Sequence, residues 1–145
     1  MKAILQRVQS GCVSVGGNKI AEIRAGLVIL LGVGPADTAA ESDKLALKLA
    51  QMRIFPDEYG KMNLSLLDVG GEALVVPQFT LFANTKKGHR PSFVRAGPPE
   101  IAKPLTEHFA SALRKLGVPT QEGEFGAHML VEIHNDGPVT IEVEV

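Results

Sequence analysis

One cysteine, one tyrosine and no tryptophan occur among the 145 residues. A lone Cys12 excludes an intrachain disulfide and fits a reducing compartment. With six Phe as the main aromatic content, the core must be built from aliphatic side chains. Long apolar runs are also missing. The longest, residues 27–31, falls far short of the ~20 residues that a membrane helix needs. The first residues have no apolar stretch ahead of a cleavage site, so no signal peptide is expected and the cytoplasm is the default location.

Basic excess is absent too. Fifteen Lys and Arg stand against sixteen Asp and Glu, giving a net charge of -1. A protein that grips nucleic acid broadly carries a clear positive surplus, so any RNA contact should be local. The densest basic cluster is Lys86-Lys87-Gly88-His89-Arg90, with Arg95 nearby. On charge alone it reads as a solvated loop. The familiar catalytic constellations are missing as well: no Gly-x-Ser-x-Gly elbow, no phosphate-binding Walker loop, no Cys or His pair at zinc spacing.

What is present is 45% hydrophobic residues with 21% charged, enough to bury a core and to argue against disorder. No repeat or linker interrupts the chain, so residues 1–145 read as one domain. Residues 2–15 and 19–24 suggest two strands joined by the turn signal Gly16-Gly17-Asn18. Residues 27–33 suggest a strand covered on both faces. Thr38 and Glu41 have the spacing of a capping box. Leu45, Leu49 and Met52 follow on one helical face, and Pro56 closes off that helix near Arg53.

Residues 64–69 suggest a short strand, and residues 73–83 a longer one containing Pro77. A second helix fits residues 98–116, with Ile101, Leu105, Phe109, Ala112, Leu113 and Leu116 as its stripe. Pro104 should sit in its first turn or kink it. At the end, Met129, Val131 and Ile133 alternate on one strand. Val139, Ile141, Val143 and Val145 alternate on the next, and residues 135–138 connect them. The sum is an α+β domain of mainly antiparallel, barrel-like sheet with two main helices.

Three places carry candidate chemistry. His128, Glu132 and His134 fall on one strand face, where a metal site competes with the preferred reading of a polar strand face. Gln78-Phe79-Thr80 follows Pro77, a residue that cannot donate to a ladder and belongs at an edge or bulge. An amide, a hydroxyl and freed backbone N–H groups there would suit an oxyanion, although an edge strand with two polar residues explains the pattern equally well. Asn135-Asp136-Gly137-Pro138 has the composition of a hairpin turn. Its Gly-Pro bond can be cis, which would aim two successive carbonyls in nearly one direction.

The chain resembles the D-aminoacyl-tRNA deacylases along essentially its whole length. The resemblance is carried by Gln6-Arg7-Val8, Arg53-Ile54-Phe55, Lys61-Met62-Asn63, Gln78-Phe79-Thr80-Leu81 and Lys87-Gly88-His89-Arg90-Pro91-Ser92-Phe93. Gly126-Ala127-His128-Met129 and Asn135-Asp136-Gly137-Pro138-Val139-Thr140 complete it. Each piece is weakly specific alone, and their order and spacing are highly specific together.

The resemblance implies a homodimeric, metal-independent and cofactor-free hydrolase of D-aminoacyl-tRNA and of wrongly made glycyl-tRNA. It implies that Gln78, Phe79 and Thr80 form the catalytic wall. Gly137 and Pro138 would be joined by a cis bond and enter the partner's pocket to exclude L-amino acids. Arg7 would hold that segment, and the stretch of Ala127 and Met129 would lie beside the pocket. One departure stands out: the family usually has Ser where this chain has Pro77. A mechanism that needs a hydroxyl at position 77 is excluded. Two remain, attack by the Thr80 hydroxyl and, preferred, attack by water with the substrate's ribose 2′-hydroxyl assisting. The rivals are an editing enzyme for L-aminoacyl-tRNA, a non-catalytic RNA-binding or dimerisation module, and a small-molecule esterase.

Overall fold

The computed structural model describes residues 1–145. Strand β1 (Lys2–Val15) is its axis. Along one edge β1 pairs antiparallel with β3 (Gly26–Gly32) over its first half and with β2 (Asn18–Ile23) over its second. Along the other edge it pairs antiparallel with β8 (Met129–Glu144) from Lys2 to Val15. The sheet continues from β3 through β6 (Glu72–Pro77) to β7 (Thr120–Glu122), and both of those pairings are parallel. A two-stranded sheet of β4 (Phe55–Pro56) and β5 (Met62–Leu64) lies apart. The fold is α+β, with a mixed, barrel-like main sheet.

Helix α1 (Ala39–Gln51) starts where the side chains dictate. The Thr38 hydroxyl accepts from Ala40 N–H at 3.2 Å, and Glu41 accepts from Thr38 N–H at 2.9 Å, completing the capping box. Leu45, Ala46, Leu49 and Ala50 are buried. Helix α2 (Pro99–Lys115) carries Pro104 past its first turn, on the exposed side, and the helix runs on through it. Of the two expectations for this proline, a place in the first turn is therefore corrected. Only the one ladder donor is lost, and the ring faces solvent.

Both helices cover one face of the sheet. Leu5, Leu27, Ile29, Leu31 and Val75 meet Leu45, Leu49, Phe109 and Leu113 in a single cluster of 23 buried residues. Val8, Val13, Ile23, Val28, Leu74 and Val76 form a second cluster on the opposite face. This explains the unbroken apolar run of β3, whose alternate residues serve different cores. Replacing Leu49 or Leu113 by Ala would cost about 2–5 kcal/mol, the usual penalty for a buried cavity.

Three sequence expectations are corrected. Residues 64–69 do not form a strand: β5 ends at Leu64, and Asp68 caps a turn by accepting from Ser65 N–H at 2.8 Å and Ser65 Oγ at 2.7 Å. The strand expected over residues 73–83 stops at Pro77 and is replaced by a 3-10 turn, Phe79–Phe82. Residues 135–138 do not join two hairpin strands. Both flanks pair with β1, so they are an excursion inside one long strand. No helix is long and apolar enough to cross a membrane.

Candidate active site

Pro77 ends β6 at its edge toward β7. Gln78 N–H donates to Leu31 O at 2.7 Å, toward β3. Successive residues alternate direction, so the Pro77 nitrogen faces the β7 side, where pairing has already ended at Val75 and Glu122. The ladder to β7 runs one bond further, from Gly123 N–H to Val75 O at 2.8 Å, and stops where Pro77 has no donor to continue it.

The chain then tightens. Leu81 N–H donates to Gln78 O and Ala83 N–H to Thr80 O. A helical turn leaves its first amides without partners inside it, so Phe79 and Thr80 N–H are free of the turn's own ladder. Gly32 makes the close packing possible. A Cβ there would lie 3.1 Å from Gln78 O, 3.1 Å from Leu81 Cβ and 3.2 Å from the Phe82 ring. The Gln78 side chain amide hydrogen-bonds the Thr80 hydroxyl. No His, Asp, Glu, Lys or Arg side chain pairs with that hydroxyl.

This turn borders a mostly apolar cavity of about 480 Å³. Gln78 and Phe79 form one wall. Ala127, His128 and Met129 form another, and Ala102 and Thr106 of α2 contribute the floor. Met129 is held close by Gly123, where a Cβ would come within 2.7 Å of its sulfur. Thr106 Oγ donates within its own helix, to Ala102 O at 2.8 Å, so toward a ligand it could only accept. Of the expected site residues, Gln78, Phe79, Ala127 and Met129 thus meet around one cavity. Thr80 is exposed at its edge, joined through Gln78.

Arg7, Gly137 and Pro138 line none of this cavity. They come together elsewhere, at the register slip between β1 and β8. Gln6 faces Thr140 and Val8 faces Asn135, so one residue, Arg7, stands opposite residues 136–139. Arg7 Nε donates to Asp136 O at 3.1 Å, and Nη1 donates to Ile54 O at 2.7 Å. The Gly137-Pro138 bond is cis, Gly137 has φ +129°, and both residues are exposed. A Cβ on Gly137 would lie 2.9 Å from Val139 Cγ2 and 3.0 Å from Arg7 Nη2. Asn135 closes the excursion: its Oδ1 accepts from Val139 N–H at 3.0 Å, and its Nδ2 donates to Thr140 Oγ1 at 2.9 Å. Asn135 reads as an ordinary turn residue in sequence, and only the slipped register reveals its bracing position. Phe93, which meets Phe79 edge-on with ring centres 5.1 Å apart, had no separate signal either.

His128, Glu132 and His134 do not converge. His134 Nδ1 is 2.9 Å from Ser10 Oγ, and Glu132 accepts from the Cys12 thiol at 2.8 Å. No group of three or more His, Cys, Asp and Glu side chains is arranged to hold a metal. The Glu132 hydrogen bond, followed by burial and the carboxylate's charge, pushes the Cys12 thiol above its ordinary range.

Comparison with known proteins fits this geometry. A family described as "D-Tyr-tRNA(Tyr) deacylase" matches residues 4–144. Proteins named D-aminoacyl-tRNA deacylase are 57% identical in Roseiflexus castenholzii, over 97% of this chain and 90% of the relative. One from Chloroflexus aurantiacus is 56% identical, over 99% and 90%. A solved structure titled c-Myc DNA Unwinding Element Binding Protein superposes with a TM-score of 0.94 at 43% identity, covering 100% of this chain and 99% of its own. A probable eukaryotic D-amino acid tRNA deacylase, at 17% identity and a TM-score of 0.82, shows the same fold. On the match over residues 4–144 and on these relatives, the chain belongs to the D-Tyr-tRNA(Tyr) deacylase family.

Proposed function

We propose that this protein hydrolyses the ester between a D-amino acid and the terminal ribose of tRNA, and likewise glycyl-tRNA, as a homodimer. The observation that carries the reading is the pair of free amides, Phe79 and Thr80 N–H, where β6 breaks beside the cavity. Donors fixed in backbone need no reorganisation as a carbonyl oxygen becomes an oxyanion. Water adds to the carbonyl carbon with the substrate's 2′-hydroxyl assisting. The acyl–oxygen bond breaks, and the leaving 3′-oxygen takes a proton. Free D-amino acid and tRNA result. An aminoacyl ester is already activated, so positioning suffices without a strong nucleophile.

Chirality requires an obstacle to the L side chain as well as a fit for the D-form. Gly137 and Pro138 supply it by entering the cavity of the partner copy. Support comes from their situation in the single chain. They are exposed, braced from behind by Arg7 and Asn135, and line nothing of their own cavity. A backbone obstacle contacts no particular side chain, so many D-amino acids are accepted, and glycine passes because it has nothing to collide.

The test is hydrolysis of D-tyrosyl-tRNA and L-tyrosyl-tRNA side by side, with EDTA present. Rapid loss of the D-ester alone is expected. Loss of both esters would overturn the Gly137-Pro138 filter, and loss of neither would overturn the deacylase reading.

A further inference from the structure

Charge is distributed unevenly along this chain. Residues 73–99 contain Lys86, Lys87, Arg90 and Arg95 and not one Asp or Glu, whereas the remainder holds eleven Lys and Arg against sixteen Asp and Glu. None of those four cations has a carboxylate partner, although other cations of the chain do, such as Lys19 with Glu22 and Arg114 with Glu122. All four are exposed, as is His89.

The cluster is held in place. Asn84 and Ser92 form an isolated antiparallel bridge, with N–H to O distances of 2.7 and 3.0 Å in the two directions. It closes residues 85–91 into a loop. Asn84 Oδ1 also accepts from Lys86 N–H at 3.1 Å. Directly after the bridge comes Phe93, whose ring meets Phe79 edge-on. Phe79 is 56% exposed and borders the cavity. The loop is thus an insertion between two stretches that both line the cavity, Gln78 with Phe79 and Ala96 with Gly97. Its own cations line none of it.

An unneutralised cationic loop tied to the rim of a cavity fits a polyanion whose end enters that cavity. We propose that Lys86, Lys87, Arg90 and Arg95 bind the phosphate backbone of the tRNA acceptor end and so seat the ester beside Phe79 and Thr80. This rests on the aminoacyl-tRNA reading above. It reconciles tRNA binding with a net charge of -1: the positive potential is concentrated at the one place where the substrate enters.

The experiment compares wild type with the triple variant Lys86→Gln/Lys87→Gln/Arg90→Gln, on D-tyrosyl-tRNA and on a 3′-D-tyrosyl adenosine ester that has no phosphate. On the tRNA substrate KM should rise at least ~10-fold at low salt with kcat little changed. The log–log salt slope should become shallower by about two to three, because each phosphate contact contributes about 0.7–0.9. The two proteins should cleave the phosphate-free ester at rates within about twofold. Lys86→Arg/Lys87→Arg, which keeps the charge, should match wild type on tRNA. Equal losses on both substrates, or an unchanged salt slope, would overturn the clamp. If wild type cleaves neither ester, the deacylase reading fails instead. Filter binding of uncharged tRNA to the same variants then decides the clamp by its salt slope. Undiminished binding by the triple variant would sink it and point to an acidic protein partner.

Discussion

Arg7 of β1 stands alone opposite residues 136–139 of β8, and its guanidinium fills the gap that this mismatch opens. Nε donates to Asp136 O, and the same nitrogen lies 3.5 Å from the Asp136 carboxylate. Nη1 meanwhile reaches Ile54 O, behind the excursion. Arg7 is nearly covered, with its side chain 11% exposed. A planar fork spans two carbonyls in different directions, and a lysine ammonium does not.

Arg7→Lys should therefore leave one of the two carbonyls unpaired. The expected cost is about 1–3 kcal/mol of stability. The effect on function should be larger in chirality than in rate. A loosened Gly137-Pro138 segment obstructs the L side chain poorly, so the ratio of D- to L-tyrosyl-tRNA hydrolysis should fall by at least ~10-fold. Melting temperature and both hydrolysis rates, measured on one preparation, check this. An unchanged ratio together with a lowered melting temperature would restrict Arg7 to a structural role.

Cys12 offers a test at the opposite end of β8. Its thiol donates to Glu132 Oε2, and that bond, then burial, then the carboxylate's charge, all raise its pKa. The thiol should stay protonated at neutral pH and react slowly with iodoacetamide. Glu132→Gln removes the carboxylate's charge and leaves the thiol only a weaker, neutral amide acceptor. The pH midpoint of alkylation should move down, and the rate at pH 8 should rise several-fold. A pKa raised by folding adds stability below the unfolded value, about 8.5 for cysteine, and that stability is lost as pH rises through the folded value. The stability difference between wild type and Glu132→Gln should shrink correspondingly above pH 9. Coincident alkylation profiles would refute the Glu132 effect.

Local chemistry was the legible part of this fold. Thr38 and Glu41 announced the start of α1, and the apolar run of β3 announced burial on both faces. What sequence concealed was partner length. Nothing in residues 129–145 reveals that β1 is 14 residues long and can pair with both halves, so Asn135 and Gly137 read as a hairpin. The apolar pattern after Ala73 likewise does not report that neighbouring β3 ends at Gly32, which is where the extended chain gives way to the turn of Phe79. The same limit applied to the site. Gln78 and Phe79 stood out beside an awkward proline. Their association with Ala127 and Met129 followed from the family resemblance, because a cavity between distant segments leaves no local signature.

Thr80 decides between the two hydrolytic mechanisms. Its hydroxyl is bonded to the Gln78 carboxamide, a group that does not take a proton at neutral pH in either orientation. An unactivated hydroxyl is a weak nucleophile, and no second side chain is placed to activate it. The Thr80 N–H, by contrast, is fixed by the turn that begins after Pro77 and survives any side-chain substitution that preserves the turn. Thr80→Val keeps the branched shape and removes only the hydroxyl. If backbone donors and water perform the reaction, kcat on D-tyrosyl-tRNA should fall less than ~10-fold, through the lost bond to Gln78 alone. If the hydroxyl attacks, the acyl-enzyme cannot form, and kcat should fall by ~1000-fold or more, a loss typical of removing a nucleophile. Single-turnover hydrolysis of D-tyrosyl-tRNA separates these outcomes, and Thr80→Ser gives the cross-check. Serine restores a nucleophile but not the methyl group, so activity recovered by Ser and abolished by Val would overturn the backbone mechanism.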